Sequence, residues 1–252
     1  MDFEKLGIPK ASVHIYDEID STNLAAIRRA REGRDGGIEI FLARSQTAGR
    51  GRLGRSFVSK SGAGIYLSLL IPSNLYRGDA LTAHTAVSLA RTLGTYLNID
   101  AGIKWVNDIY LGGKKLSGIL VEAVTSTDGK ITDFVVGMGI NVYKNAITPE
   151  ISDIATSLED NGIPLENTDD LVYAIVEGFI DDVITLPDKD ALLAEYRRRS
   201  IIIGKAIEVH PVIGEMYEAT VVGINDDFTL SVKLLDGEAR SLSSGEVKTK
   251  IL

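Results

Sequence analysis

Arg50, Arg52 and Arg55 sit in one glycine-rich run, GRGRLGR at residues 49–55, and their types and spacing suggest chemistry on an anion. Planar guanidinium forks match carboxylates and phosphates, and a glycine-rich backbone can turn its N–H groups toward the same charge. Joining a carboxylate to the α-phosphate of ATP brings like charges together. Cationic donors lower that barrier and hold the reactants in line. The run therefore predicts the anion-handling loop of an ATP-dependent enzyme that activates a small carboxylic acid. Taken alone, it also fits a solvated basic loop.

Formally, GRGRLG satisfies G-x-G-x-x-G, the dinucleotide fingerprint, but the polar, glycine-broken RSFVSKSGAG follows where a helix should open. The sequence has no kinase companion motifs, no phosphate-binding G-x-x-x-x-G-K-[ST] and no G-x-S-x-G elbow.

A second cluster is KWVND at residues 104–108, followed by KKLSGILVE at residues 114–122. Lys115 stands just before an apolar run and could bring charge to phosphate or acyl oxygens. Asp108 could hold Mg²⁺, which takes one or two carboxylates together with substrate phosphates. These residues also have plainer readings: Trp105 as a core aromatic, Asn107 and Asp108 as a turn, Lys114 and Lys115 as a solvated hairpin. His14, His84 and His210 are scattered without metal-ligand spacing.

The positioning elements follow from periodicity. A strand at residues 13–16 precedes an alanine- and arginine-rich helix capped by Asp20 or Ser21 and ending near Gly33. A buried strand at 38–43 leads into a long polar segment, 44–64, whose length suits a binding loop or lid. A strand at 65–71 precedes an amphipathic helix between Asp79 and Asn98, with Leu81, Val87, Leu89, Leu93 and Tyr96 on its apolar face. From Ile103 the strands lie close together, with turns at Asn107-Asp108, Gly112-Gly113 and Asp128-Gly129. Helices are predicted at 171–186 and 191–199, separated by Pro187. After Ser200 the texture is all-β: IEVHPVI, YEATVVGI, FTLSVKLL and EARSLSS form a small barrel of about 50 residues. The expected division is 1–200 and 201–252, in an α+β chain with a mixed, mostly antiparallel sheet.

At 252 residues, with 44% hydrophobic and 25% charged residues, the composition is ordinary for a globular protein. A net charge of −8 argues against whole-surface attraction to nucleic acid. The absence of cysteine excludes disulfides, thiolate nucleophiles and Cys-ligated zinc. MDFEKLGIPK lacks a signal peptide's apolar core, and no apolar run approaches the roughly 20 residues of a membrane span. A soluble, cytoplasmic protein is expected.

SQTAGRGRLGR, KWVND, KKLSGILVE and GMGINV, in that order and preceded by DSTN at residues 20–23, resemble the motif set of the biotin protein ligases. The resemblance implies a class II synthetase-like catalytic domain and a C-terminal SH3-like β-barrel. It implies that biotin and MgATP give biotinyl-5′-AMP, and that biotin then passes to a lysine of a biotin carboxyl carrier domain of acetyl-CoA carboxylase or a related enzyme. ATP, Mg²⁺ and biotin enter as substrates and activator, with no tightly bound cofactor. By motif position, Ser21, Thr22, Asn23, Gln46, Gly49, Arg50, Arg52, Lys115 and Gly118 would bind biotin. Arg50, Arg52, Arg55, Trp105, Asn107, Lys115 and Asn141 would bind ATP, and Asp108 would bind Mg²⁺. Arg52 and Lys115 would be catalytic. The run from Gly49 to about Gly62 is expected to be mobile until ligand orders it.

The sequence departs from the family pattern at Val106, where the family has proline, and at Phe57, where tryptophan is common. Only about a dozen residues precede the first predicted strand, too few for the helix-turn-helix of some members, so no binding to operator DNA is expected. The nearest rival, a lipoate or octanoyl transferase, typically carries R-R-x-x-G-G-G-x-V, which is absent. A non-catalytic biotin or nucleotide sensor is the other rival. No A-M-K-M-like acceptor occurs around any lysine. Edge strands of an open sheet offer a route to a symmetric dimer.

Overall fold

The computed structural model describes residues 11–34, 36–76, 80–184, 188–243 and 246–249. Seven strands form the main sheet: β1 (Ala11–Ile19), β2 (Ile38–Gln46), β3 (Gly64–Pro72), β4 (Gly102–Lys104), β5 (Asp108–Leu111), β6 (Lys114–Thr125) and β7 (Ile131–Asn141). They lie in the order β1-β2-β3-β7-β6-β5-β4. Among the described strand pairs of this sheet, β1–β2 alone is parallel. The mixed, mostly antiparallel α+β architecture is thus present.

Period-two alternation divides the sheet's side chains between two cores. Ile40, Leu42, Ile65, Leu67 and Leu69 face the larger core with helices α2 (Leu81–Leu97) and α3 (Asp169–Phe179). Phe41, Leu70 and Val135 face the smaller core with helix α1 (Thr22–Arg31). Every residue of β3 is buried, as suits a central strand covered on both faces.

A second, five-stranded antiparallel sheet follows helix α4 (Lys189–Arg199). It comprises β8 (Ala206–His210), β9 (Tyr217–Ile224), β10 (Leu230–Leu234), β11 (Ala239–Leu242) and β12 (Glu246–Thr249), ordered β11-β10-β9-β8-β12. This is the small β unit expected, compatible with an SH3-like barrel, with β12 as a strand the sequence pattern did not separate. Its apolar interior is continuous with the larger core. Phe228, in the β9–β10 turn, packs edge-on against Tyr196 and His84, and its carbonyl accepts the indole N–H of Trp105 at 2.9 Å.

Several local expectations are corrected. Ser21 occupies the N-cap of α1 but makes no side-chain capping bond, while the Asp20 carboxylate is held by both terminal nitrogens of Arg28, at 2.7 and 2.9 Å. The segment 44–64 is less irregular than its composition suggests, because β2 continues to Gln46 and a short antiparallel bridge joins Arg50 to Ser56. The turn near Asn107 occupies residues 105–107, with a cis Trp105–Val106 peptide, and Asp108 opens β5. Tyr96, expected on the apolar face of α2, is exposed. After α3 the chain makes a π-helical turn, Ile180–Ile184. Asp79 and Pro187, expected at helix boundaries, lie outside the described residues. Among the described residues, no helix is long and apolar enough to cross a membrane.

Candidate active site

The site lies on the α1 face of the main sheet. In the strand register Ser68 opposes Gly137, Tyr66 opposes Gly139, and Gly118 opposes Gly139, so a patch without side chains opens among otherwise filled positions. At Gly137 a Cβ would stand 2.1 Å from Asn23 Oδ1, and at Gly139 one would stand 2.6 Å from the Phe57 ring. The missing side chains let α1 and the glycine run approach the sheet. A cleft of about 1000 Å³, open mouth included, results.

At one end the start of α1 delivers Ser21, Thr22 and Asn23, all buried. The Thr22 N–H donates to Gln46 Oε1 at 2.8 Å, and Gln46 Nε2 donates to Ser59 Oγ at 2.8 Å. Those two bonds fix the sense of the Gln46 amide. The Ser68 hydroxyl, fully buried on β3, lies 2.7 Å from the Thr22 hydroxyl and donates to Asn23 Oδ1 at 2.6 Å. Asn23 Nδ2 in turn donates to Glu122 Oε2 at 2.8 Å. Short polar groups are thereby held in fixed directions, as a pocket that orients a small molecule requires.

Over this end folds the glycine run. The Gly51 N–H donates to the Arg55 carbonyl at 2.7 Å, and the Phe57 N–H to the Gly49 carbonyl at 2.9 Å. Exposed Leu53 takes a left-handed conformation, φ 55°, at the tip. Arg50 Nη1 pairs with Glu122 Oε1 at 3.1 Å. Arg52 points inward and donates to Asn107 Oδ1 at 3.1 Å. Burial pushes the Arg52 guanidinium below its usual pKa, and nearby Asp108 partly offsets this. It remains a cation at neutral pH because guanidinium titrates so far above it.

The third wall is the 105–107 turn with β5 and β6. Asn107 Nδ2 donates to the Ile119 carbonyl at 2.7 Å, leaving its Oδ1 for Arg52. Lys115 Nζ and Asp108 Oδ1 form an ion pair at 2.7 Å. Gly118 makes that possible: a Cβ there would stand 3.2 Å from Lys115 Cε and Nζ. Tyr196 supports the turn from below, donating to the Val106 carbonyl at 3.1 Å. Burial raises the Tyr196 phenol far above its usual range, so it serves only as a neutral donor.

Of the residues singled out from sequence, Ser21, Thr22, Asn23, Gln46, Arg50, Arg52, Arg55, Trp105, Asn107, Asp108, Lys115 and Gly118 all line this cleft. Gly49 and Asn141 are not on its wall. A Cβ on Gly49 would meet the Phe57 carbonyl at 2.3 Å, so Gly49 closes the hairpin neck. Asn141, buried at the end of β7, donates to the Thr156 carbonyl at 3.1 Å. Trp105 reaches the cleft while its indole N–H is committed to Phe228.

Asp108 offers a single carboxylate already paired with Lys115, and the described residues hold no cluster of three His, Cys, Asp or Glu suited to a metal. A lone carboxylate fits an Mg²⁺ whose remaining oxygens come from a phosphate ligand and water. Sequence reasoning missed Ser59, Ser68, Glu122, Gly137 and Gly139. The two glycines stood in the quoted GMGINV, where their spacing of two marks one face of a strand. Glu122 closes the KKLSGILVE run but was given no role there, and Ser59 and Ser68 carry no local signal.

The arrangement sets a polar pocket beside three cations, Arg50, Arg52 and Lys115, which suits an acid whose carboxylate meets a phosphate. Residues 19–141 match the model of the biotin/lipoate A/B protein ligase family. The biotin--[acetyl-CoA-carboxylase] ligase of Mycobacterium tuberculosis is 31% identical over 244 residues, covering 92% of this chain and 87% of that protein. The bifunctional ligase/repressor BirA of Bacillus subtilis is 36% identical over 147 residues, 57% of this chain but 45% of that protein. The chain thus aligns with less than half the length of the Bacillus proteins it matches. The structure of the biotin protein ligase from Aquifex aeolicus in complex with biotin and ATP superposes with a TM-score of 0.75 at 25% identity, covering 95% of this chain and 98% of that one.

Proposed function

The chain belongs to the biotin/lipoate A/B protein ligase family, and from that membership we propose that it is a biotin protein ligase. It activates biotin with MgATP and transfers the biotinyl group to one lysine of a carrier domain of acetyl-CoA carboxylase or a related carboxylase. The observation that carries this reading is the convergence of Arg50, Arg52 and Lys115 on one cleft beside the pocket of Thr22, Asn23 and Gln46.

Biotin's ureido head pairs with the short polar groups Ser21, Thr22 and Gln46, and its carboxylate reaches toward Arg50, Arg52 and Lys115. A carboxylate oxygen attacks the α-phosphorus, pyrophosphate leaves, and the cations hold the charge that develops on the phosphoryl oxygens. The carrier lysine amine then attacks the acyl carbon, and AMP leaves. Asp108 would hold the Mg²⁺ that accompanies ATP, and the ion would offset the negative charge of the phosphates. Arg55, Trp105 and Asn107 border the nucleotide, and Asn141 supports it from behind. The glycine hairpin closes over the mixed anhydride and keeps water out.

In this reading residues 1–200 form the catalytic domain and 201–252 the barrel. The protein works in the cytoplasm, and β1, an outer strand of the main sheet, offers an edge to a symmetric dimer. The test is incubation with biotin, MgATP and a biotin carrier domain. Pyrophosphate release and a mass increase on one carrier lysine are expected. Modification with lipoate but not biotin would overturn the assignment.

A further inference from the structure

Glu122 has no part in the acid or nucleotide contacts above, yet its carboxylate joins the two halves of the cleft. In the strand register it opposes Val135 on the α1 face. One oxygen accepts from Asn23 Nδ2 at 2.8 Å, and the other pairs with Arg50 Nη1 at 3.1 Å. An ionised carboxylate can only accept. With the Leu120 carbonyl, which accepts from the same Nδ2 at the longer distance of 3.3 Å, it turns the NH₂ end of Asn23 toward β6 and leaves the carbonyl end for Ser68, which donates to it at 2.6 Å. From Arg50 through Glu122, Asn23 and Ser68 to Thr22 and Gln46, the contacts form one chain linking the glycine hairpin to the pocket.

We infer that Glu122 is a positioning residue that couples the acid pocket to the hairpin, an inference resting on the proposed reading of the cleft. While the pocket is empty Glu122 holds Arg50. A substrate carboxylate takes Arg50 from it, and the hairpin follows because Arg50 is bridged to Ser56. Throughout, Glu122 keeps its bond to Asn23, so the pocket stays oriented as the hairpin moves.

Two substitutions separate these roles. Glu122→Gln retains one acceptor oxygen, which serves the more buried partner, Asn23, and loses the charge that holds Arg50. Glu122→Ala loses both. By calorimetry without ATP, Glu122→Gln is expected to bind biotin at least as tightly as the parent protein, and Glu122→Ala about tenfold or more weakly. Amide hydrogen exchange without ligand reads the hairpin directly. The Gly51 and Phe57 amides should exchange several-fold faster in both variants. Equal weakening of biotin by both, or unchanged exchange in Glu122→Gln, would overturn the inference. A parent protein that bound no biotin would sink the functional reading and the pocket half of the coupling, while exchange would still decide whether Glu122 holds the hairpin.

Discussion

Arg52 is half-withdrawn from solvent and anchored on Asn107, so its charge is oriented before any substrate arrives. A donor placed in this way stabilises developing charge without reorganisation, and removing one typically costs on the order of 10²–10³ in rate. Arg52→Gly is expected to shorten the lifetime of the bound adenylate by about 10²-fold. The activated acyl group should then appear on lysines outside the carrier. Labelling confined to the carrier lysine, read by peptide mass spectrometry, would contradict the role given to Arg52. Gly137 tests the pocket from the other side. A Cβ there falls 2.1 Å from Asn23 Oδ1, so Gly137→Ala should displace Asn23 and lower biotin affinity by more than tenfold, a loss of at least about 1.4 kcal/mol. Far-ultraviolet circular dichroism should be unchanged. The arginine cluster was legible in the sequence because charge in a glycine-rich run is a local pattern. Glu122 and Ser68 were not, because each acts on a partner brought close only when α1 and the glycine hairpin pack on the sheet.

Helix α4 is fastened at its C-terminal end by charge. Glu195 accepts from Arg198 at 2.7 Å and from Arg199 at 2.6 Å, and Arg199 also donates to the Ala101 carbonyl beside β4. The Arg198 hydrogen bond, with Arg199 adding to it, lowers the Glu195 pKa from 4.5 to about 2. A carboxylate with a depressed folded-state pKa stabilises the fold fully above its unfolded value. That contribution fades as pH falls from 4.5 toward 2. Denaturant titrations should lose on the order of 1 kcal/mol across that window, the side chain being partly exposed, and Glu195→Gln should lose less there. An identical acid slope in the variant would remove Glu195 from the account. At this scale the sequence carried the strand and helix periods and most turns. The hairpin within 44–64 escaped notice because a bridge as short as Arg50–Ser56 leaves no periodic trace.

The β9–β10 turn of the second sheet is keyed into the larger body. Phe228 is buried in a left-handed conformation, φ 64°, with its ring on Tyr196 and its carbonyl on Trp105. Arg197 adds donors to the Ile224 carbonyl and to Asp226. Trp105 opens, and Tyr196 supports, the turn that presents Asn107 and Asp108, so the second sheet steadies that wall of the cleft. Phe228→Ala should cost about 3–5 kcal/mol, the usual range for emptying a buried aromatic site. It should also lower adenylation more than biotin binding. One cooperative thermal transition at the parent temperature would show that this contact does not join the two parts.

Local pattern determined what could be read from the chain alone: the order of elements, the all-β texture after Ser200, the cationic cluster and the family motifs. Periods of two and 3.6 are written in neighbouring residues, and so is the chemistry of a motif. Tertiary structure decided which strand face carries the cleft, that Gly118, Gly137 and Gly139 empty its floor, that Asn141 stands behind its wall, and that Glu122 and Phe228 tie distant segments to it. Those outcomes depend on register between strands and on packing between sheets. A one-residue slip would turn every side chain of a strand to the other face without changing its sequence.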